Sequence, residues 1–156
     1  MSDEEIIRYK RSRFSARLPA GRRYSRAHYW IGEAEPGLWR VGFTKFATRM
    51  LGDLVEYGFE PQLGEPVEVG QAIGSVEGFK AITEIYSVVE GEFAGGNSEL
   101  SSDITLIDTE PFGRGWLYQV RGVPDPDSVD VHGYIDILDA TISKMLASQG
   151  VTDDDG

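Results

Sequence analysis

The chain has 156 residues, 40% of them hydrophobic, and its 15 basic and 26 acidic side chains give a formal net charge of −11. A single domain of this length buries about 70% of its unfolded surface, and the lack of cysteine excludes disulfides, thiolate nucleophiles and thiolate metal sites together. With no apolar run near the roughly 18 residues of a membrane helix and no secretory h-region, no membrane contact and a cytoplasmic location are expected.

Charge is uneven along the chain. Residues 1–26 hold eight basic side chains (Arg8, Lys10, Arg11, Arg13, Arg17, Arg22, Arg23 and Arg26) against three acids, whereas residues 27–156 carry a net charge of −16. So acidic a body repels phosphate backbones, and the basic segment lacks the aromatic interleaving or groove-reading helix of a nucleic-acid binder. Nucleic-acid binding is therefore not expected. Residues 1–24 read as a basic, solvated N-terminal extension lying over an acidic body. Residues 25–150 read as one domain and 151–156 as an acidic disordered tail.

The predicted elements begin with a strand at Leu38–Phe43. Thr44 then stands as a helix N-cap before Phe46, Ala47, Met50 and Leu51 at helical spacing, and Gly52 closes the helix at C′. Short strands follow at 54–59, 67–69, 72–76, 81–89, 92–94, 104–107 and 116–120, punctuated by Pro61, Gly64, Pro66, Gly70, Gly78 and Gly91. Glycine is about 12% of the chain, against about 7% in ordinary proteins. Many tight turns between short strands predict a sandwich or small barrel. At the C-terminal end, Tyr134, Ile137, Leu138, Thr141 and Met145 follow helical spacing, with Asp130 as cap and Gly150 beyond the end. The apolar stripe of this helix is expected to pack on the β body.

Signatures of catalysis are missing: there is no G-x-S-x-G elbow, P-loop, G-x-G-x-x-G or H-E-x-x-H. His28 and His132 lie far apart without ligand spacing, so a structural role is expected for both and a metal site is not. The informative stretch is Val76-Glu77-Gly78-Phe79-Lys80-Ala81-Ile82-Thr83-Glu84-Ile85-Tyr86. Lys80 is one of four lysines (Lys10, Lys45, Lys80 and Lys144) and follows Gly78, which can take the positive φ of a hairpin turn. A hairpin tip holds a side chain clear of the body, the geometry a covalent group carrier needs. On local sequence alone, an exposed turn lysine without a role is the ordinary reading.

Wider spacing changes that judgement. Val41-Gly42-Phe43-Thr44-Lys45-Phe46-Ala47, Leu51-Gly52-Asp53, Gly64 and Gly70 precede the lysine segment; Ile85-Tyr86-Ser87 and Gly91-Glu92 follow it. Farther on stands Glu110-Pro111-Phe112-Gly113-Arg114-Gly115-Trp116-Leu117, with His28-Tyr29-Trp30 near the start and Leu138-Asp139-Ala140 near the end. In this order these segments resemble the glycine cleavage system H protein family over about residues 25–147. The resemblance implies a flattened sandwich or barrel of two antiparallel sheets, of the lipoyl/biotinyl-carrier type, with a short helix near 44–51 and a C-terminal helix. It makes residues 25–150 a lipoyl-carrier domain and Lys80 the residue carrying covalent lipoate. Glu77 is then the acidic residue read during lipoylation, and Gly78 and Phe79 are parts of the hairpin tip. Typical members have Ser and Val at the positions of Gly78 and Phe79. Gly78 is expected to loosen the hairpin, and Phe79 to set a large ring beside the arm.

The family resemblance implies a carrier without catalysis of its own, loaded by a lipoate-protein ligase or lipoyl transferase. Its partners would be glycine decarboxylase, aminomethyltransferase and dihydrolipoamide dehydrogenase, with the arm carrying an aminomethyl group. Alternatives are an H-like lipoate-binding protein in sulfur oxidation with a heterodisulfide-reductase-like complex, and an H-like interaction module with Lys80 unmodified. Biotin attachment is disfavoured because Phe79 and Ala81 stand where methionines typically flank the lysine. The acidic body is expected to steer the carrier toward basic partner surfaces.

Overall fold

The computed structural model describes residues 4–150. Among these, eleven strands and three α-helices alternate in an arrangement that is mainly β. In chain order they are β1 (Ile6–Arg11), β2 (Phe14–Pro19), β3 (Arg23–Tyr24), β4 (Tyr29–Glu35) and β5 (Leu38–Phe43), then α1 (Lys45–Leu51). Next come β6 (Leu54–Phe59), β7 (Pro66–Val67), β8 (Ala72–Gly78), β9 (Ile82–Tyr86) and β10 (Val89–Gly96). The chain finishes with α2 (Leu106–Thr109), β11 (Tyr118–Pro124) and α3 (Val131–Gln149). Strands β3-β4-β5-β11-β10-β7 form one sheet, β6-β8-β9 a second and β1-β2 a third, all antiparallel. The expected β architecture with a C-terminal helix is present, as three sheets instead of two, and they do not close into a barrel.

Two apolar clusters hold these layers. The larger lies between the six-stranded and three-stranded sheets, where Ile31, Val41, Ile73, Val76, Ile85, Phe93, Tyr118 and Val120 are buried. The second joins β1, β2, β3, α1 and α3 through Tyr9, Phe14, Leu18, Tyr24, Phe46, Tyr134 and Leu138. In α3 the side chain of Asp130 accepts from the Gly133 N–H at 2.9 Å, and Gly150 ends the helix in the left-handed region (φ +71°). Its buried stripe, Val131, Tyr134, Leu138, Ile142 and Leu146, packs inward as expected.

Three local readings change. Residues 6–19 are not a solvated extension: they fold as a hairpin whose Tyr9, Phe14 and Leu18 are 7%, 8% and 1% exposed. The charged residues between them, Arg8, Lys10 and Arg17, occupy the alternate, exposed side. Residues 151–156, read as a disordered tail, lie outside the described residues. The run 104–107 is a turn entering α2, not a strand, because the Asp103 side chain accepts from the Thr105 N–H at 3.0 Å and Leu106 and Ile107 turn inward together. The predicted strand 81–89 is two strands, β9 and β10, separated where the chain passes between sheets at Ser87 and Val88. No helix among the described residues is long and apolar enough to cross a membrane.

Candidate functional site

Strands β8 and β9 form a hairpin in which Glu77 faces Ile82, and residues 79–81 make its tip. The Gly78 N–H donates to the Ala81 carbonyl at 2.9 Å. Two further backbone bonds fasten the tip to the chain leaving α1: Phe79 N–H to Asp53 O and Lys80 N–H to Leu51 O, both 2.9 Å. Gly78 does not use the positive φ open to a glycine. A Cβ there would stand 2.3 Å from the Leu51 carbonyl oxygen, so the glycine admits the close approach that the two bonds require. Gly52 does take a positive φ (+77°), and a Cβ on it would meet Lys80 Cγ at 2.8 Å. The glycine that ends α1 and the glycine before the lysine are therefore two halves of one fitting.

The base of the hairpin is fixed by tyrosines. Tyr29 Oη accepts from the Tyr86 N–H at 3.0 Å; Tyr118 Oη accepts from the Val88 N–H at 3.0 Å and donates to the Tyr86 carbonyl at 2.9 Å. Burial pushes the Tyr29 hydroxyl up to about 12 and raises that of Tyr118 as well, so both stay protonated. These bonds satisfy the backbone exactly where it leaves one sheet for another, the point at which a continuous ladder is impossible.

Lys80 is exposed. Its Nζ donates at 3.5 Å to the Arg49 carbonyl, a long bond, and it forms no ion pair among the described residues. The ammonium therefore gives up little on being acylated. Phe79 and Ile82 flank it at 82% and 70% exposure, an apolar rim that has no partner within the chain's core. Glu77 is half-buried on β8, opposite Glu56 on β6, and with Glu84 on β9 these acids share the outer side of the three-stranded sheet. On the other side of Lys80 lies a groove lined by the β1–β2 turn, α1 and α3, with Arg11, Arg13 and Arg49 among its lining residues. The grouping of these arginines beside Lys80 is the feature that sequence reading missed.

Of the two histidines, His28 fills a structural position. His28 Nδ1 shares a 2.8 Å hydrogen bond with the Tyr134 hydroxyl and packs 4.6 Å from the Phe46 ring. Burial lowers its pKa to about 4 and keeps the ring neutral. Thr44 occupies the cap position of α1, yet its hydroxyl bonds Tyr134 Oη at 2.7 Å instead of capping the helix. His132 is exposed on α3, and no cluster of three metal-binding side chains occurs among the described residues.

A family model described as glycine cleavage H-protein matches residues 22–132. The chain is 38% identical over 108 residues to the glycine cleavage system H protein of Streptomyces avermitilis, covering 69% of this chain and 86% of that protein. It is 41% identical over 104 residues to the glycine cleavage system H protein of Micrococcus luteus, covering 66% and 80%. Among solved structures, a glycine cleavage system H protein from Mycobacterium marinum is similar with a TM-score of 0.67 and 32% identity, covering 75% of this chain and 95% of that one. The match to the family begins at Arg22, so the β1–β2 hairpin stands outside it.

Proposed function

We propose, from the premise that the chain belongs to the glycine cleavage H-protein family, that it is a lipoyl carrier whose attachment residue is Lys80. Proteins of this family carry lipoate covalently on a lysine and work with glycine decarboxylase, aminomethyltransferase and dihydrolipoamide dehydrogenase. The observation that carries the assignment to Lys80 is its place: an exposed amine on a tip whose backbone is bonded to Leu51 and Asp53. Lys45 is paired with Asp108 at 3.1 Å, while Lys10 lies within β1 and Lys144 within α3.

When bound, lipoate supplies a reducible disulfide on a long tether. The chain supplies the amine, its access to solvent and a fixed origin for the tether. Glu77 is the charge by which a lipoate-protein ligase or lipoyl transferase reads the tip, and Gly78 and Phe79 complete the surface that such an enzyme meets. Residues 25–150 are the carrier unit of this reading, with residues 1–24, which include the β1–β2 hairpin, added to it. The protein catalyses no step; it raises the effective concentration of a tethered group at successive partner sites. Carriage of an aminomethyl group between the glycine cleavage enzymes is the first reading. A second, an H-like carrier serving a heterodisulfide-reductase-like complex in sulfur oxidation, is favoured by one observation, the arginines beside Lys80.

Intact mass of the protein from its native host, with peptide mapping around Lys80, tests the assignment. A lipoyl increment on Lys80 is expected, and its loss in Lys80→Arg with stability held within about 0.5 kcal/mol, as for exposed residues generally. An unmodified Lys80 in cells that lipoylate their other carriers would leave an H-like interaction module instead.

A further inference from the structure

The groove beside Lys80 has a volume of about 570 Å³, within the range of small-molecule sites, and Lys80 is one of its lining residues. Phe14, Phe46, Ile142 and Leu146 give it an apolar floor. Arg13 and Arg49 stand exposed at its edge, and Arg49 lies 5.8 Å over the Phe14 ring. Arg11 also lines it, held by Asp139 at 3.5 Å and by Ser143. Among the described residues no acidic side chain lines the groove. Neither Arg13 nor Arg49 forms an ion pair among the described residues. Acylation removes the charge of Lys80, whereas guanidinium groups remain charged at any physiological pH.

We propose that this groove seats the arm borne by Lys80 when the far end of the arm carries an anion of carboxylate or sulfonate type. The apolar stem covers the floor and the charge meets Arg13 and Arg49. The inference rests on Lys80 being the lipoylated residue. An ammonium end, such as an aminomethyl group at neutral pH, is repelled by the same arginines and does not enter this groove. The groove therefore sorts the states of the arm by charge. A tethered occupant is favoured over a free one because its origin is already in the lining, which makes its effective concentration high. Residues 11–14, which form one wall, lie outside the family match while Arg49 lies within it, so the hairpin contributes one of the two exposed guanidinium groups.

The test uses full-length protein whose lipoylation at Lys80 is verified by mass. After reduction, thiol alkylation is confined to the arm because the chain has no cysteine. Capping with iodoacetate gives an anionic end, and capping with bromoethylamine gives a cationic end of similar size. Methyl resonances of Met50, Ile142 and Met145, which line the groove, report occupancy. The carboxymethylated arm is expected to shift them, with the shifts lost at high salt, where screening shortens to about 3 Å at 1 M, and lost in the Arg13→Glu/Arg49→Glu variant. The aminoethylated arm is expected to leave them as they stand in Lys80→Arg. Shifts from both caps, from neither, or unchanged in the arginine variant would overturn the inference. Failure to lipoylate Lys80 at all would overturn the carrier reading first, and the mass measurement separates the two failures.

Discussion

Lys80 stands on a boundary between two regions of opposite charge. On one side the outer surface of the three-stranded sheet carries Glu56, Glu77 and Glu84; on the other, Arg11, Arg13 and Arg49 line a groove over buried aromatic rings. The acidic side lies wholly within the stretch shared with the family, and the basic side depends on a hairpin outside it. Duties common to the family and a duty peculiar to this chain can thus be written on opposite sides of one residue. A net charge of −11 describes neither side: the field at Lys80 is a step from negative to positive.

The most damaging way to break this contrast is to unseat the hairpin. Leu18 is 1% exposed, and Leu18→Ala is expected to cost about 2–5 kcal/mol in urea unfolding. The groove should be lost while modification of Lys80 persists in the folded fraction; a cost below about 1 kcal/mol would show that the hairpin does not share the core. Next comes the seam between the two regions. Gly78→Ala drives a Cβ against the Leu51 carbonyl and should cost about 1–3 kcal/mol. Hydrogen exchange should then show the Phe79 and Lys80 amides losing protection, and unchanged protection would refute the fitting described above.

Beneath the basic side, pH offers a gentler lever. His28 packs under Phe46, which is part of the groove floor, and burial lowers its pKa from 6.5 to about 4. Between those values the unfolded chain binds the proton and the folded chain does not, so the stability due to neutral His28 is complete above pH 6.5 and is lost progressively as pH falls toward 4. Thermal melts across this window should show a steeper loss in the parent than in His28→Gln; parallel curves would assign the loss to other groups. The smallest structural effect is expected on the acidic side. Glu77→Gln should leave stability within about 0.5 kcal/mol yet slow lipoylation, and equal rates for variant and parent would remove Glu77 from the recognition surface.

Local pattern carried much of this fold and site. The spacing of Tyr134, Leu138 and their neighbours marks α3, and the ordered glycines around Lys80 place a hairpin where β8 and β9 lie. What stayed hidden was tertiary or masked by charge. Phe14, Ala16 and Leu18 alternate with Ser15 and Arg17, a two-residue period that announces a strand, but eight basic residues in 26 give the same stretch the composition of a solvated segment. The run 104–107 is too short for apolar content to separate a strand from a turn of helix. The reason for Gly78 lies 27 residues away at Leu51, and the grouping of Arg13, Arg49 and Lys80 exists only once hairpin, helix and sheet are assembled.

A lever needs a fulcrum, and the bond from the Lys80 amide to Leu51 provides one. Because Leu51 is buried in the main core, the backbone at the lysine turns with the whole body and not with a loose turn. Every rotation of the side chain therefore starts from a known point, and whatever meets the body in a given orientation meets the root of the Lys80 side chain in a fixed place as well. The ordering of the tip takes place once, when the protein folds, and not again at each encounter.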